Sequence, residues 1–500
     1  NPNKGLTLKA GGTVTDPKLS INLMSGNPIY ETTTPQITVL DTNVDFTADA
    51  RPIIYGDSEN DEIGGEGITY SITRELDING DGTIMCVGSV KHDSNRGHVR
   101  VFEWNGTQWD QLGSDINGES TNDKCGICAI SEDGKTVVVG APMANVSAGQ
   151  VRVFKYENGQ WDRIGSKIET VTGQFGACVD INKDGTAIVA GAPWCDVSNS
   201  GVLLGGDGCL RVYDLTDVSG VQDWVQRGGD WDMTSSATPG TAAWFANSVA
   251  MNGDGSIVAG AEYGNGRDPA VDPYGVKVYE YANGSWDQLG SDVPVDFAEC
   301  NQVRLSHDGT IVAYGSGYEK DASGTSSHHT GAVYTAKYTN GQWNRTGKIL
   351  GTQASIYMHK CDLNAAGDVL AIGSYLDEIS SGANNNGVTR LYYWNELSQV
   401  WDDIGTGTPI EGLGVGDHSG SAVALNYIGD VLAIGAYGAD SDGNNSSPPY
   451  SHGHIRTFIG QTKQIDGTPE TTQTGTTSAE MSLKAGGTSA NPDLSISMKP

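Results

Sequence analysis

Cys125-Gly-Ile-Cys128 carries the spacing of a redox or zinc-binding pair. Redox use calls for a helix after the pair to lower a thiol pKa, and structural zinc calls for a second pair nearby. No helix pattern follows and no second pair stands at zinc spacing, so the motif predicts neither chemistry. Cys86, Cys125, Cys128, Cys178, Cys300 and Cys361 lie in apolar, strand-like stretches and read as buried thiols. Cys195 and Cys209 flank a Gly/Ser/Asn-rich loop and form the one candidate disulfide, although spacing alone does not fix connectivity. The nine histidines are scattered, and none sits in a nucleophile elbow, a zincin motif or a triad-like arrangement. His328-His329 and His452/His454 fall in Ser/Gly-rich stretches and read as solvated loops. No residue is therefore assigned a catalytic role, and the expectation is a protein that is not an enzyme.

The composition narrows the remaining classes. Lys and Arg number 30 against 61 Asp and Glu, a net charge of −31. Such a surface repels nucleic-acid phosphates and anionic membranes, which excludes nucleic acid as a partner. No apolar run approaches the roughly 18 residues of a membrane span. The chain opens at Asn1, which predicts a removed leader or a cleaved precursor and an extracellular or surface location. Six N-x-S/T sequons, at Asn105, Asn145, Asn283, Asn344, Asn444 and Asn445, are candidate glycosylation sites in that setting.

Glycine, at 69 residues, is organised rather than dispersed. Turn glycines recur as Gly82, Gly134, Gly185, Gly255, Gly309, Gly367 and Gly429. A second glycine follows after six residues in every unit but the fourth, where Gly260 follows after five. The stretch between them is apolar and β-prone, as in Val137-Val138-Val139, so each unit reads as strand, tight turn, strand. A third strand alternates apolar residues with Arg or Lys, as in QVRVFKY from Gln150, and those bases are expected to pair with acids between units. A tryptophan then opens a fourth strand in six units, at Trp109, Trp161, Trp224, Trp286, Trp343 and Trp401, and reads as packing between units. Four antiparallel strands repeated seven times predict an all-β, seven-bladed β-propeller, since only a ring of such sheets buries both faces of each. The ring must close, and two segments compete for the slot: 36–55, whose Ile53–Asp57 resembles Gln111–Asp115, and 458–466.

Outside the repeats lies a duplication. LTLKAGGTVTDPKLSINL, from Leu6 to Leu23, returns as MSLKAGGTSANPDLSISM, from Met481 to Met498, with ten of eighteen positions identical. Leu6, Leu8, Leu19, Ile21 and Leu23 alternate on one face of a predicted hairpin, and Met481, Leu483, Leu494, Ile496 and Met498 do so in its twin. A lone hairpin is marginal in water, so each copy must pair with its twin, with the propeller or with another molecule. The expected organisation is a hairpin module at 1–35, the propeller at 36–470 and a linker with the second hairpin module at 471–500.

The units resemble the FG-GAP-like propellers, the class of the integrin α-chain head, on VVVGAP at Val137–Pro142 and IVAGAP at Ile188–Pro193. The resemblance spans roughly residues 55–466 and weakens to IVAYGS and LAIGS elsewhere. It implies calcium as a possible ligand of D-x-D/N-x-D-G loops, matched in their first half by Asp77, Asn79, Asp81 and by Asp180, Asn182, Asp184. Calcium needs six to eight oxygens, and the later carboxylate is missing, since Met85 and Ile188 stand three residues after the turn glycines, so plain Asp-Gly hairpin turns are the favoured reading of both loops. Two functions remain. One is a structural subunit of an extracellular filament or array, self-associating through the duplicated hairpins. The other is an adhesin or lectin whose rim aromatics, among Trp194, Trp231, Trp244, Tyr263, Tyr274 and Tyr375, bind glycans.

Overall fold

The computed structural model describes residues 7–13, 16–22, 36–40, 46–48, 51–58, 61–65, 74–170, 173–195, 208–229, 244–263, 275–296, 300–317, 319, 330–351, 358–377, 385–396, 398–404, 409–439, 451–460, 462–469, 480–488 and 491–499, the terminal strands by their backbone. The chain divides into two units: 1–46 with 392–406 and 460–500, and 47–391 with 407–459.

Seven antiparallel sheets, each built on four strands in up-and-down order, form a seven-bladed β-propeller. Blade two is representative, with Ile127–Ile130, Thr136–Ala141, Gln150–Glu157 and Gln160–Arg163 paired in sequence. The turn chemistry explains the recurrence. In every unit the residue three before the turn glycine (Asn79, Ser131, Asn182, Asn252, Ser306, Asn364, Asn426) accepts that glycine's N–H on its carbonyl. Its side-chain oxygen accepts the N–H five residues on, at 2.8–3.0 Å. The side chain thus mimics a backbone turn, which is why Asn or Ser stands there in all seven units.

Between these two residues lies a second device. Gly80 N–H donates to Glu132 O, Glu132 to Lys183, Lys183 to Gly253, Gly253 to His307, His307 to Ala365, Ala365 to Tyr427 and Tyr427 back to Gly80, at 2.8–3.1 Å. One bond per blade closes a ring of seven, and backbone groups that would be orphaned at each turn are satisfied by the neighbouring blade.

The core sits between blades. One apolar layer joins Cys86, Val99 and Val101 of blade one to Cys128, Val137 and Val139 of blade two. Another joins Leu76, Met85 and Val87 of blade one to Val431, Ala433 and Ile455 of blade seven. The recurrent tryptophans lock these layers from outside. Trp161, Trp224, Trp286 and Trp343 donate their indole N–H to Leu112, Ile164, Arg227 and Leu289 carbonyls of the preceding blade, and Trp109 donates to Thr457 Oγ1. Of the third-strand bases, Arg100 makes the expected inter-blade ion pair, with Asp57 beyond the strand Ile54–Tyr55 of blade seven, and others depart from it. Lys277 and Arg390 pair within their own blades, with Glu262 and Asp377, while Arg152 and Arg456 donate to the carbonyls of Asn117 and Glu411. These positions pack beside neighbouring strand backbone, so carbonyls are the acceptors within reach.

The N-terminal segment completes the last blade. Thr47–Ala48 and Ile54–Tyr55 both pair with His454–Ile459, in the registers Phe458↔Ala48 and Ile455↔Ile54. The competing stretch pairs elsewhere, since Thr462–Pro469 lies antiparallel to Gln36–Leu40 within the first unit.

That first unit contains a sheet in the order Thr7–Thr13, Asp16–Asn22, Glu480–Thr488, Asn491–Lys499, Thr462–Pro469, Gln36–Leu40. The two copies of the duplicated sequence form hairpins of identical register, Leu8↔Ile21 and Ala10↔Leu19 against Leu483↔Ile496 and Ala485↔Leu494. The second strand of the first copy pairs with the first strand of the second, through Leu19↔Leu483 and Ile21↔Met481. Leu6 and Leu23 lie outside the described residues.

Candidate functional site

The loops that resemble calcium sites are engaged in the fold. Asn79 Oδ1 accepts from Thr83 and Ile84 N–H, Asn182 Oδ1 from Thr186 and Ala187 N–H, and Asp81 Oδ1 from Thr83. Asp184 is exposed. Asp77 and Asp180 instead face charged partners. Arg74 donates to Asp77 Oδ1 at 2.5 Å and to Asp180 Oδ1 at 2.6 Å, bridging blades one and three. The other oxygens of these carboxylates accept the N–H of Ile130 and Met251 in the next blade, both at 2.8 Å. Asp362 does the same for Leu425 at 2.7 Å and pairs with Arg304 at 3.1 Å. These three aspartates stand five residues before their turn glycines. Burial raises the Asp77 pKa to about 6 against the opposing pull of Arg74, and burial likewise raises Asp362 against Arg304 and Arg74. Their chemistry is structural, since each is a tether from one blade to the next.

The candidates on the rim gather into clusters. Trp194, Trp244 and Tyr263 form a continuous stack, with ring centroids 4.6 Å apart for the first pair and 5.4 Å, nearly parallel, for the second. Trp244 is buried in the middle, while Trp194 and Tyr263 keep partly exposed faces. Tyr375 belongs to a second group, against His359, His418 and Tyr437, in which His418 and Tyr437 stack at 4.7 Å. Trp231, Tyr274 and the His328-His329 pair lie outside the described residues. Trp194 and Tyr263 stand three residues after the second glycine of their blades, and Tyr375 and Tyr437 stand two after theirs, whereas Trp244 precedes the first strand of blade four.

A third cluster combines nitrogen and oxygen ligands at blade one. His92 Nδ1 lies 2.8 Å from Asp61 Oδ1, and the His92 and His98 rings stack with centroids 3.9 Å apart. Asp115 Oδ2 stands 3.6 Å from His98 Nδ1, and Asp57 pairs with Arg100. Burial, then the neighbouring His92 and Arg100, push the His98 pKa down to about 4. His92 projects from a turn whose Asp93, Ser94 and Asn95 all have φ between +46° and +60°, a left-handed turn that residues with short polar side chains tolerate. His452 and His454, read as a solvated loop, are placed differently: His454 opens the third strand of blade seven and is 2% exposed.

The other candidate positions are placed as follows. Asn105, Asn145, Asn283 and Asn344 are exposed, and Asn444 and Asn445 lie outside the described residues. All eight cysteines are buried. Cys195 and Cys209 share one apolar cluster, and Gly208 N–H donates to Cys195 O, so the two ends of their loop meet.

No family model matches the chain, and no curated protein matches it. Among solved structures it is similar to a hydrazine synthase chain of Kuenenia stuttgartiensis, at 12% identity and a TM-score of 0.47, covering 77% of this chain and 94% of that one. It is also similar to a putative 6-phosphogluconolactonase of Bacteroides uniformis, at 13% identity and a TM-score of 0.43, covering 67% and 84%. At that distance the likeness concerns architecture alone. Among the described residues no helix is long and apolar enough to cross a membrane.

Proposed function

We propose that this chain is a non-enzymatic structural subunit of an extracellular or surface filament or array, an FG-GAP-like propeller block carrying duplicated hairpins as connectors. The copies pair with each other within one chain, which alone closes a module; the observation that supports the reading is that an equivalent strand, Thr7–Thr13, stands at the edge of that sheet. The second strand of copy one meets the first strand of copy two in the register Leu19↔Leu483. Because the copies are equivalent at an offset of 475 residues (483 − 8), the same contact can be made again. Asn491–Lys499 of one chain would accept Thr7–Thr13 of the next with Leu494 opposite Leu8. Thr7–Thr13 stands at the sheet edge, and Gly467–Pro469, which pairs with Leu494–Ile496 in parallel, is the segment to be displaced. Such a contact is heterologous, so it propagates rather than closing on a dimer. A rigid block suits this role, and the closed ring of seven backbone bonds supplies rigidity.

The expected result is that the full chain elutes as oligomers or appears as filaments, and that removing residues 477–500 yields monomers with an unchanged propeller melt. A full-length chain that stays monomeric at high concentration in moderate salt would sink the reading.

The aromatic stack favours a second reading, a glycan-binding adhesin. Sugar rings pack their C–H faces on exposed aromatic planes, and Trp194 and Tyr263 flank the buried Trp244 as two such planes. Trp194→Ala and Tyr263→Ala are then expected to lower glycan-array binding at least about tenfold, the loss of one good aromatic contact. Signals that survive both substitutions would reject this rim as the glycan site.

A further inference from the structure

We infer that the chain binds one divalent transition-metal ion of the zinc class at blade one, with His92 and His98 as nitrogen ligands and Asp61 as an oxygen ligand. The donor atoms of these three lie within 4.8 Å of one another, as do those of Asp57, His98 and Asp115, so His98 is common to two overlapping sets. The independent observation is His98 itself. It is 0% exposed, and neither ring nitrogen has a hydrogen-bond partner. Buried polar atoms are nearly always satisfied, and one left bare signals a missing partner. Asp115, 3.6 Å away, is too far for a hydrogen bond.

The donor set selects the ion. Two imidazoles with carboxylate suit zinc and its first-row neighbours, whereas calcium and magnesium take oxygen ligands almost exclusively. Tetrahedral zinc at about 2.0–2.1 Å places its ligands about 3.4 Å apart, so the donor atoms draw in by roughly 1.4 Å at most, and the stacked His92 and His98 rings, 14° from parallel, rotate to turn both nitrogens to one ion. Asp57 and Asp115 form the second set around His98, where they can ligate or fix the ring through hydrogen bonds. Access is open, because Asp61 and His92 line a cleft of about 620 Å³ with Ser58, Lys91, Asp93 and Asn95. The location also gives the ion a task. Asp57 and Asp61 follow Ile54–Tyr55, the strand that completes blade seven, while His92 and His98 belong to blade one. An ion held by both would clasp the ring at its closure seam.

The test uses the full chain stripped with a chelator and titrated with ZnCl2 by calorimetry. The expected result is one site per chain with a Kd near or below about 1 μM, not displaced by a thousandfold excess of CaCl2, and a melting temperature raised by zinc. His98→Gln and the partly exposed His92→Gln are each expected to weaken zinc binding about 100-fold and to abolish the thermal shift. Co2+ should show the d–d absorption of a nitrogen-ligated tetrahedral site in wild type and lose it in His92→Gln. Absence of saturable zinc binding would overturn the inference. So would His92→Gln binding like wild type, or calcium displacing zinc, because either would mean diffuse attraction to an acidic surface. Since His98→Gln removes a buried side chain, His92→Gln decides the matter if the former fails to fold.

Discussion

Gly88→Ala is expected to cost at least about 3 kcal/mol of stability, the upper range for forcing one extra carbon into a packed interior. A Cβ at this position would lie 1.7 Å from the carbonyl oxygen of Gly126 in blade two. The obstacle is backbone, which cannot rotate aside as a side chain can, so the two blades would have to separate. The same approach recurs around the ring, with Gly140 2.1 Å from Gly176 O, Gly315 1.9 Å from His359 O and Gly373 2.2 Å from Gly420 O. The fourth unit, with its five-residue spacing, departs from this approach. Its bulge between Phe245 and Ser248 is shared by blade seven, between Ser419 and Ala422, where the spacing is six; what differs is that Gly260 meets the Phe245 ring instead of a carbonyl. Urea unfolding followed by tryptophan fluorescence checks the prediction, with Gly275→Ala as control. Nothing lies within 3.6 Å of a Cβ at Gly275, so that change should stay within about 0.5 kcal/mol. Equal midpoints for the two variants would refute the steric account.

What could be read from the sequence follows from what repeats. The turn glycines, the second glycines and the Trp-led fourth strand each serve one local purpose seven or nearly seven times, so periodicity exposed them and the propeller followed. The Asn79 and Asn182 loops admit two readings, with the plain turn favoured, because one oxygen geometry serves two ends: an amide that closes a turn looks like half a cation site. The tethering aspartates were half visible. Asp77 and Asp180 were singled out for calcium, while Asp362 went unnoticed because its loop reads NAAG. The His92–His98–Asp61 cluster was hidden for a topological reason. Asp61 reaches blade one only because the N-terminal strand crosses to blade seven, and no local pattern encodes that crossing. Trp194, Trp244 and Tyr263 stand out in the sequence as rim aromatics, but their stacking is not legible there, because Trp244 enters ahead of the first strand of blade four while the other two follow the second strands of blades three and four.

The charged tethers make the second large effect, and pH separates charge from packing. Arg74→Met is expected to cost about 3–5 kcal/mol at pH 7, the range for stripping one partner from a buried ion pair. The Arg74 side chain is 14% exposed, with Asp77 at 6% and Asp180 at 12%, so water cannot replace the lost guanidinium on either carboxylate. The Arg74 carbonyl still accepts Cys128 N–H, so the backbone bond to blade two survives the substitution. The sign of the pH effect follows from Asp77. Its folded pKa of about 6 already lies above the ordinary 3.8, and losing Arg74 moves it higher. A carboxyl that binds its proton more tightly when folded destabilises the fold above its unfolded pKa, and that penalty shrinks as pH falls through the folded value. The deficit of Arg74→Met relative to wild type should therefore narrow as pH falls from 7 towards 6 and level off below, where Asp77 is protonated in both folded proteins, leaving it smaller at pH 5 than at pH 7. Asp180→Asn should recover part of it at pH 7, because the double variant no longer buries that unpaired charge, and the cycle with both single variants isolates the coupling. A deficit equal at pH 5 and pH 7, with no recovery from Asp180→Asn, would mean that Arg74 acts by filling space. With charge as the cause, acid mends what the substitution broke, and the aspartates hold blades together only while a guanidinium balances them.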